Sequence, residues 1–149
     1  MQIGVFCIQK GADEFSQVAD YAKMCAPWAS VRNECVFNAA IAKAQSTNRE
    51  IAQKSYEDAF APHVEGFCVG LDERGEMLDS EGFAALLKDR AKVSFFIGGA
   101  YGHSESFKQK MNKLVSLSRL TLAHKIAKLV LFEQIYRGLS INANHPYHK

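Results

Sequence analysis

Three short apolar runs, set apart by helix-length segments, constrain this chain most. Gln2 to Ile8, Val64 to Leu71 and Lys92 to Ile97 read as buried strands. Between the first two, Asp13 to Cys25 reads as a helix, with Phe15, Val18, Ala19 and Ala22 on one face and Pro27 just past its end. Val31 to Phe37 is a weaker strand candidate. Asn38 to Phe60, rich in Ala, Lys, Gln and Glu, reads as a helix that stops before Pro62. Asp72-Glu73-Arg74-Gly75 closes the second strong strand, and Ser80 or Asp79 can cap a helix running through Ala91. Strands alternating with helices predict an α/β layer built on a mainly parallel sheet. The 149 residues suit one domain with a real core, and the sequence contains no repeat or linker.

Composition excludes several classes. No apolar run approaches the roughly 20 residues that span a bilayer, and Met1 to Lys10 has no secretory pattern. Cys7, Cys25, Cys35 and Cys68 form no C-x-x-C pair and sit among apolar neighbours, which predicts buried reduced thiols in a cytosolic protein. A metal site at His145 and His148 lacks further ligands. The charge is segregated: residues 1–107 carry ten Lys/Arg against fifteen Asp/Glu, whereas residues 108–149 carry eight Lys/Arg and a single acid, Glu133. That split suits an anionic partner on the C-terminal side or, equally, a solvated basic face.

After Ile97 the pattern changes. Gly98-Gly99-Ala100-Tyr101-Gly102 follows a strand directly, and Ser104 opens another helix. The order matches neither a dinucleotide fingerprint nor a phosphate-binding P-loop, so a tight strand-to-helix turn competes with a ligand loop. Lys113 to Leu122 is short, apolar and hydroxyl-rich. In the final helix, from Leu122 to Ile141, Ile126, Leu129, Val130, Leu131, Phe132, Ile135, Tyr136 and Leu139 exceed the usual apolar stripe. Such a helix is central to its own core or covered by a partner. Behind it, Asn144-His145-Pro146-Tyr147-His148-Lys149 packs chemistry-bearing groups into a tail of the kind that usually frays.

Four spaced segments resemble the RlmH family of small SPOUT methyltransferases: Phe96 to Gly102, Leu117 to His124, Glu133 to Arg137 and His145 to His148. Val69 to Gly75, with Ser80 and Phe83-Ala84 behind it, is similar to that family's central strand and loop. Departures from the pattern fall at Ala100-Tyr101, where several members carry Pro-Glu or Ser-Leu, at Ala123 before His124, where Pro is common, and at Lys149, where some carry Arg. The resemblance implies a C-terminal deep trefoil knot, a homodimer and S-adenosylmethionine as methyl donor. The acceptor it implies is N3 of a pseudouridine in 23S ribosomal RNA of the assembled ribosome. It also implies cofactor contacts at Leu71, Gly98, Leu117, Ser118, Arg119, Leu120, Thr121 and Leu122.

Methyl transfer to an imide nitrogen requires alignment of donor and acceptor and loss of the N–H proton. His148, Tyr147 and His145 are the candidates near the acceptor, His as base and Tyr147 as stacking group or hydrogen-bond donor. Arg137 could hold a phosphate or imidate oxygen, or simply pair with Glu133 four residues earlier. His124, Lys125 and Lys128, with Lys149, read as RNA-backbone contacts or as a solvated helix end. The rival functions are a non-catalytic ribosome-binding or RNA-binding protein and an α/β nucleotide-binding enzyme of another class. The second should carry a phosphate loop that this chain lacks.

Overall fold

The computed structural model describes residues 1–12 and 15–149. In chain order the elements are β1 (Gln2–Ile8), α1 (Gln17–Met24), β2 (Ser30–Val36), α2 (Ala39–Gln45), α3 (Arg49–Phe60), β3 (Phe67–Met77), α4 (Ser80–Leu87), β4 (Lys92–Ile97), α5 (Glu105–Gln109), β5 (Lys113–Ser116) and α6 (His124–Asn142). The five strands lie in the order β2-β1-β4-β3-β5, and every neighbouring pair is parallel.

Strand side chains alternate between two cores, as the period of two requires. Ile3, Val5, Cys7, Val93, Phe95 and Ile97 face one cluster, which Val18, Phe83, Leu87 and Leu131 to Leu139 of α6 complete. Phe6, Ile8, Cys68 and Phe96 face the other, against Ile41, Tyr56, Phe60 and Phe107. Helices therefore cover both faces, which is why these strands are apolar throughout. At the α4–α6 crossing a Cβ on Gly138 would lie 3.1 Å from Leu87 and 3.3 Å from Ala84, so glycine allows this close approach.

The fold class matches the sequence expectation, but several boundaries do not. The helix expected over 38–60 is two helices. Asn38 and Asn48 are both extended, and their side chains accept from the Ile41 and Ile51 amides at 2.8 Å. Asn48 thus starts α3 afresh while Ser46 and Thr47 bond back to the Lys43 carbonyl, local bonding that competes with a continuous helix. Helix α4 ends at Leu87 rather than Ala91, because Lys88 is extended and Asp89 has φ +59°. Of the helix expected over Asp13 to Cys25, Asp13 and Glu14 lie outside the described residues. Ala19 is exposed, and Tyr21 joins the packed face in its place.

Asp72 to Gly75 does not close β3. The strand continues to Met77, and its register against β5 shifts between Leu71 and Glu76, so residues 72–75 stand out from the ladder. Gly75 permits this, because a Cβ there would meet the Leu114 and Val115 backbone at 2.7–2.8 Å. The cysteines are all free; Cys7, Cys25 and Cys68 are buried and Cys35 is half-buried.

Glu57 of α3 ties the second helical layer together. It takes hydrogen bonds from Lys110 Nζ at 2.8 Å, Ser106 Oγ at 2.8 Å and Ser104 Oγ at 3.0 Å. Lys110 first, then the two hydroxyls, hold its carboxyl at about 2 against the opposing effect of burial. A depressed carboxyl stabilises the fold above its unfolded pKa and loses that contribution as pH falls through the folded value. Glu57→Gln should therefore unfold more readily near neutral pH, by about 1.5–3 kcal/mol as for hydrogen bonds to a charged group. Denaturant titrations should show wild type and variant converging as pH falls from 4.5 toward 2.

Candidate active site

Parallel strands bring their carboxyl ends to one edge of the sheet, where loops can approach a ligand. A cleft of about 620 Å³ opens there, between the 72–74 protrusion, the 97–103 loop and the 117–124 segment. Its walls include Leu71, Gly98, Leu117, Ser118, Leu120, Thr121 and Leu122, seven of the eight residues expected at the donor; Arg119 is exposed and lies outside the lining. The 117–122 segment holds its shape through polar side chains. Ser116 Oγ donates to the Ser118 carbonyl at 2.8 Å, Leu120 N donates to Ser118 Oγ at 2.9 Å, and Thr121 Oγ1 donates to Glu73 at 2.7 Å.

The glycine loop is clamped from α3, which the sequence reading left out. Gln53 Nε2 donates to the carbonyls of Tyr101 at 2.8 Å and His103 at 3.3 Å. Tyr56 lies so close under Gly99 that a Cβ there would meet its ring at 2.6 Å. The Arg49 guanidinium sits 5.7 Å from the Tyr101 ring centroid. Arg49, Gln53 and Tyr56 recur at helical spacing behind the Asn48 cap, a pattern legible only once α3 is known to start there. Gly102, at φ +68°, turns the chain back and donates to the Gly99 carbonyl at 3.0 Å.

His103 anchors the loop from below. The residue is 5% exposed, and its Nε2 lies 3.1 Å from the Phe96 carbonyl oxygen. A ring nitrogen facing a carbonyl must carry the proton, so Nδ1 is the bare nitrogen. Nδ1 has no partner among the described residues. Burial, first among the causes, pulls the imidazole down to about 4, so it is neutral at neutral pH. Beside it Lys108 bridges Asp72 at 2.8 Å and Glu105 at 3.2 Å.

The tail is ordered, and it lies elsewhere. His145 N bonds to the Ser140 carbonyl at 2.9 Å, and the His145 ring sits edge-on to Trp28 at 5.4 Å. Tyr147 packs on Tyr136 at 4.6 Å and donates its hydroxyl to Glu133 at 3.0 Å. Arg137 makes the expected pair with Glu133 at 2.6 Å, covers the Tyr147 ring at 4.7 Å, and contacts His148 Nδ1 at 3.2 Å. Arg137, Tyr147 and His148 thus come together, with His145 nearby, but none of them lines the cleft. His124 lines the cleft and Arg137 lies thirteen residues further along α6, about 20 Å at helical rise.

Of the residues expected at RNA, Lys149 is exposed and Lys125 is half-buried. Burial and the neighbouring Lys125 and Lys128 lower the pKa of His124, which disfavours a charged contact. Lys128 corrects the sequence reading. It is 0% exposed, with Nζ 3.3 Å from Cys35 Sγ, so it belongs to the interior of the chain's fold and not to its surface.

The family model described as "Predicted SPOUT methyltransferase" matches residues 1–148. The chain belongs to the SPOUT methyltransferase family. As a SPOUT methyltransferase it is an enzyme that uses S-adenosylmethionine. It is 59% identical over 149 residues to a Campylobacter fetus protein named ribosomal RNA large subunit methyltransferase H, with all of both chains covered. A Campylobacter hominis protein of the same name is 56% identical, with 99% of each chain covered. Among solved structures, a methylase family protein from Haemophilus influenzae shares the fold at TM-score 0.57 and 12% identity, covering 99% of this chain and 70% of that one.

Two outcomes follow from the clamp on the SPOUT loop. Gln53→Leu should weaken binding of S-adenosylmethionine about 3- to 10-fold in calorimetry, the loss of roughly one hydrogen bond's worth of loop order. His103 takes up its proton near 4 when folded and near 6.5 when free. Between those values the unfolded chain binds the extra proton, so stability falls as pH drops from 6.5 to 4. His103→Leu should show a shallower decline across that window in thermal melts.

Proposed function

We propose that the protein transfers a methyl group from S-adenosylmethionine to large-subunit ribosomal RNA, at N3 of a pseudouridine on the assembled ribosome, as a cytoplasmic homodimer. The observation that carries this reading is the separation of the donor cleft from the tail cluster, at opposite ends of α6. One protomer offers the two halves of an active site about 20 Å apart. A second copy would bring the tail of one to the cleft of the other. The names of the relatives support the RNA class, and four matching segments support the nucleotide.

In the cleft, the backbone of 117–122 would bracket the adenine, and Gly98, whose missing Cβ lets the Gly102 backbone pack close, would shape the loop around the methionine part. The donor supplies an electrophilic methyl group; the chain aligns it and stabilises the charge that develops on the acceptor. The tail is better suited to donating hydrogen bonds than to taking protons. Arg137 can only donate, so His148 Nδ1 accepts and the neutral ring carries its proton on Nε2. Burial, with Tyr21 and Glu133, pushes the Tyr147 phenol well above its ordinary value, so it remains protonated. The His148 Nε2–H suits stabilisation of an imidate oxygen, with the N3 proton passing to solvent water, while the Tyr147 hydroxyl is committed to Glu133 and leaves its ring for stacking on the base. The whole chain serves as one domain in this scheme. A C-terminal trefoil knot belongs to the same proposal, supported by the way segment 117–124 lines one cleft with the 72–74 and 97–103 stretches.

The test is transfer of labelled methyl from S-adenosylmethionine to ribosomes lacking the modification. Wild type should label pseudouridine N3, and a variant ending at Asn144 should lose at least 100-fold in rate, the scale of removing positioned catalytic donors. Ribosome binding without label from wild type would overturn the reading in favour of a non-catalytic RNA-binding protein.

A further inference from the structure

Two arginines at the donor cleft have no acidic partner among the described residues. Arg49 and Arg74 both line it, both are exposed, and neither forms an ion pair among the described residues. The other charged groups of the lining are accounted for: Lys108 holds Asp72 and Glu105, Thr121 donates to Glu73, and the pKa of His124 is lowered.

Arg49 is also misplaced for helix stability. It is the first residue of α3, directly behind the Asn48 cap, where the helix dipole disfavours a cation and an acid would be stabilising. Glu50 does not relieve it across the cleft, since Glu50 borders a separate shallow hollow with Ala40, Ala44 and Ile51. Arg49 instead lies over the Tyr101 ring, which holds the guanidinium at the mouth without neutralising it. Arg74 sits in the 72–75 protrusion, whose geometry depends on the register break beside Gly75, and the Arg74 amide is fixed by Asp72 Oδ1 at 2.8 Å. One wall of the cleft thus offers a guanidinium from α3, and another offers one from β3.

We infer that Arg49 and Arg74 grip phosphates of the substrate RNA on either side of the nucleotide that enters the cleft. This rests on the proposed RNA substrate and adds the residues that position it. Guanidinium groups match phosphate oxygens with two parallel hydrogen bonds. Phosphate contacts set register without reading sequence, which suits a protein whose target is fixed by the shape of its partner. The donor is a net cation, with a sulfonium and an ammonium against one carboxylate, so two exposed guanidiniums suit the phosphates of the acceptor strand better. The C-terminal basic excess then does not account for the whole RNA contact; two of its cations come from the acidic half of the chain.

The test compares wild type, Arg49→Ala, Arg74→Ala and Arg49→Lys. Equilibrium binding to ribosomes lacking the modification is measured across a salt series, with calorimetric binding of S-adenosylmethionine alongside. Each alanine variant should lower the slope of log affinity against log salt by about 0.7–0.9 and raise the KM for ribosomes. Affinity for S-adenosylmethionine should stay within about 2-fold. Arg49→Lys should restore the slope but only part of the KM, because it keeps the charge and loses the fork. Unchanged slopes would overturn the inference while wild-type activity left the reaction standing. A selective loss of donor binding would overturn it too, assigning the arginines to the donor's carboxylate. An inactive wild type would instead refute the proposed reaction.

Discussion

The break in pairing between β3 and β5 is the constraint on which the rest depends. Had the ladder run on past Leu71, Asp72 to Gly75 would lie flat in the sheet and the cleft would lack a wall. The break is held by a steric fact, the absence of a side chain on Gly75 where the β5 backbone passes within 2.7–2.8 Å of a Cβ position. From that protrusion follow the Asp72–Lys108 bridge, the Thr121–Glu73 bond that steadies the segment opposite, and the placement of Arg74. A local backbone irregularity thereby fixes the positions of groups from three separate stretches of chain.

The second helical layer acts on the same cleft from the other side. Helix α3 carries Glu57 toward α5 and Gln53, Tyr56 and Arg49 toward the glycine loop. Glycines at 98, 99 and 102 make that loop permissive, and the clamp converts permissiveness into one shape. Such order matters for transfer from a sulfonium, where the protein contributes chiefly alignment.

The layering was legible because the alternation of apolar strands and helices has one physical solution at this length, a parallel sheet covered on both faces. Asn48 was harder: within a run of helix formers its capping role depends on a bend that only tertiary packing selects. Asp72 to Gly75 looked like a terminator because its residues favour turns, and the same preference is what a bulge requires. Lys128 misled for a different reason. A lysine on a basic helix is ordinarily solvated, and nothing local signals that this one turns inward toward Cys35. In the tail cluster, helical spacing supplies the Glu133–Arg137 pair, whereas the contact of His145 with Trp28 joins positions far apart in sequence that spacing could not supply.

Helix α6 has a consequence of its own. Its first turn touches the cleft, and its last turns carry the platform on which the tail folds, within one uninterrupted helix. It therefore serves as a ruler. Inserting or deleting one residue within it would move the platform about 1.5 Å along the axis and rotate it by about 100° relative to the cleft. Related chains should accordingly vary freely in the length of their surface loops yet keep the number of residues between cleft and tail unchanged.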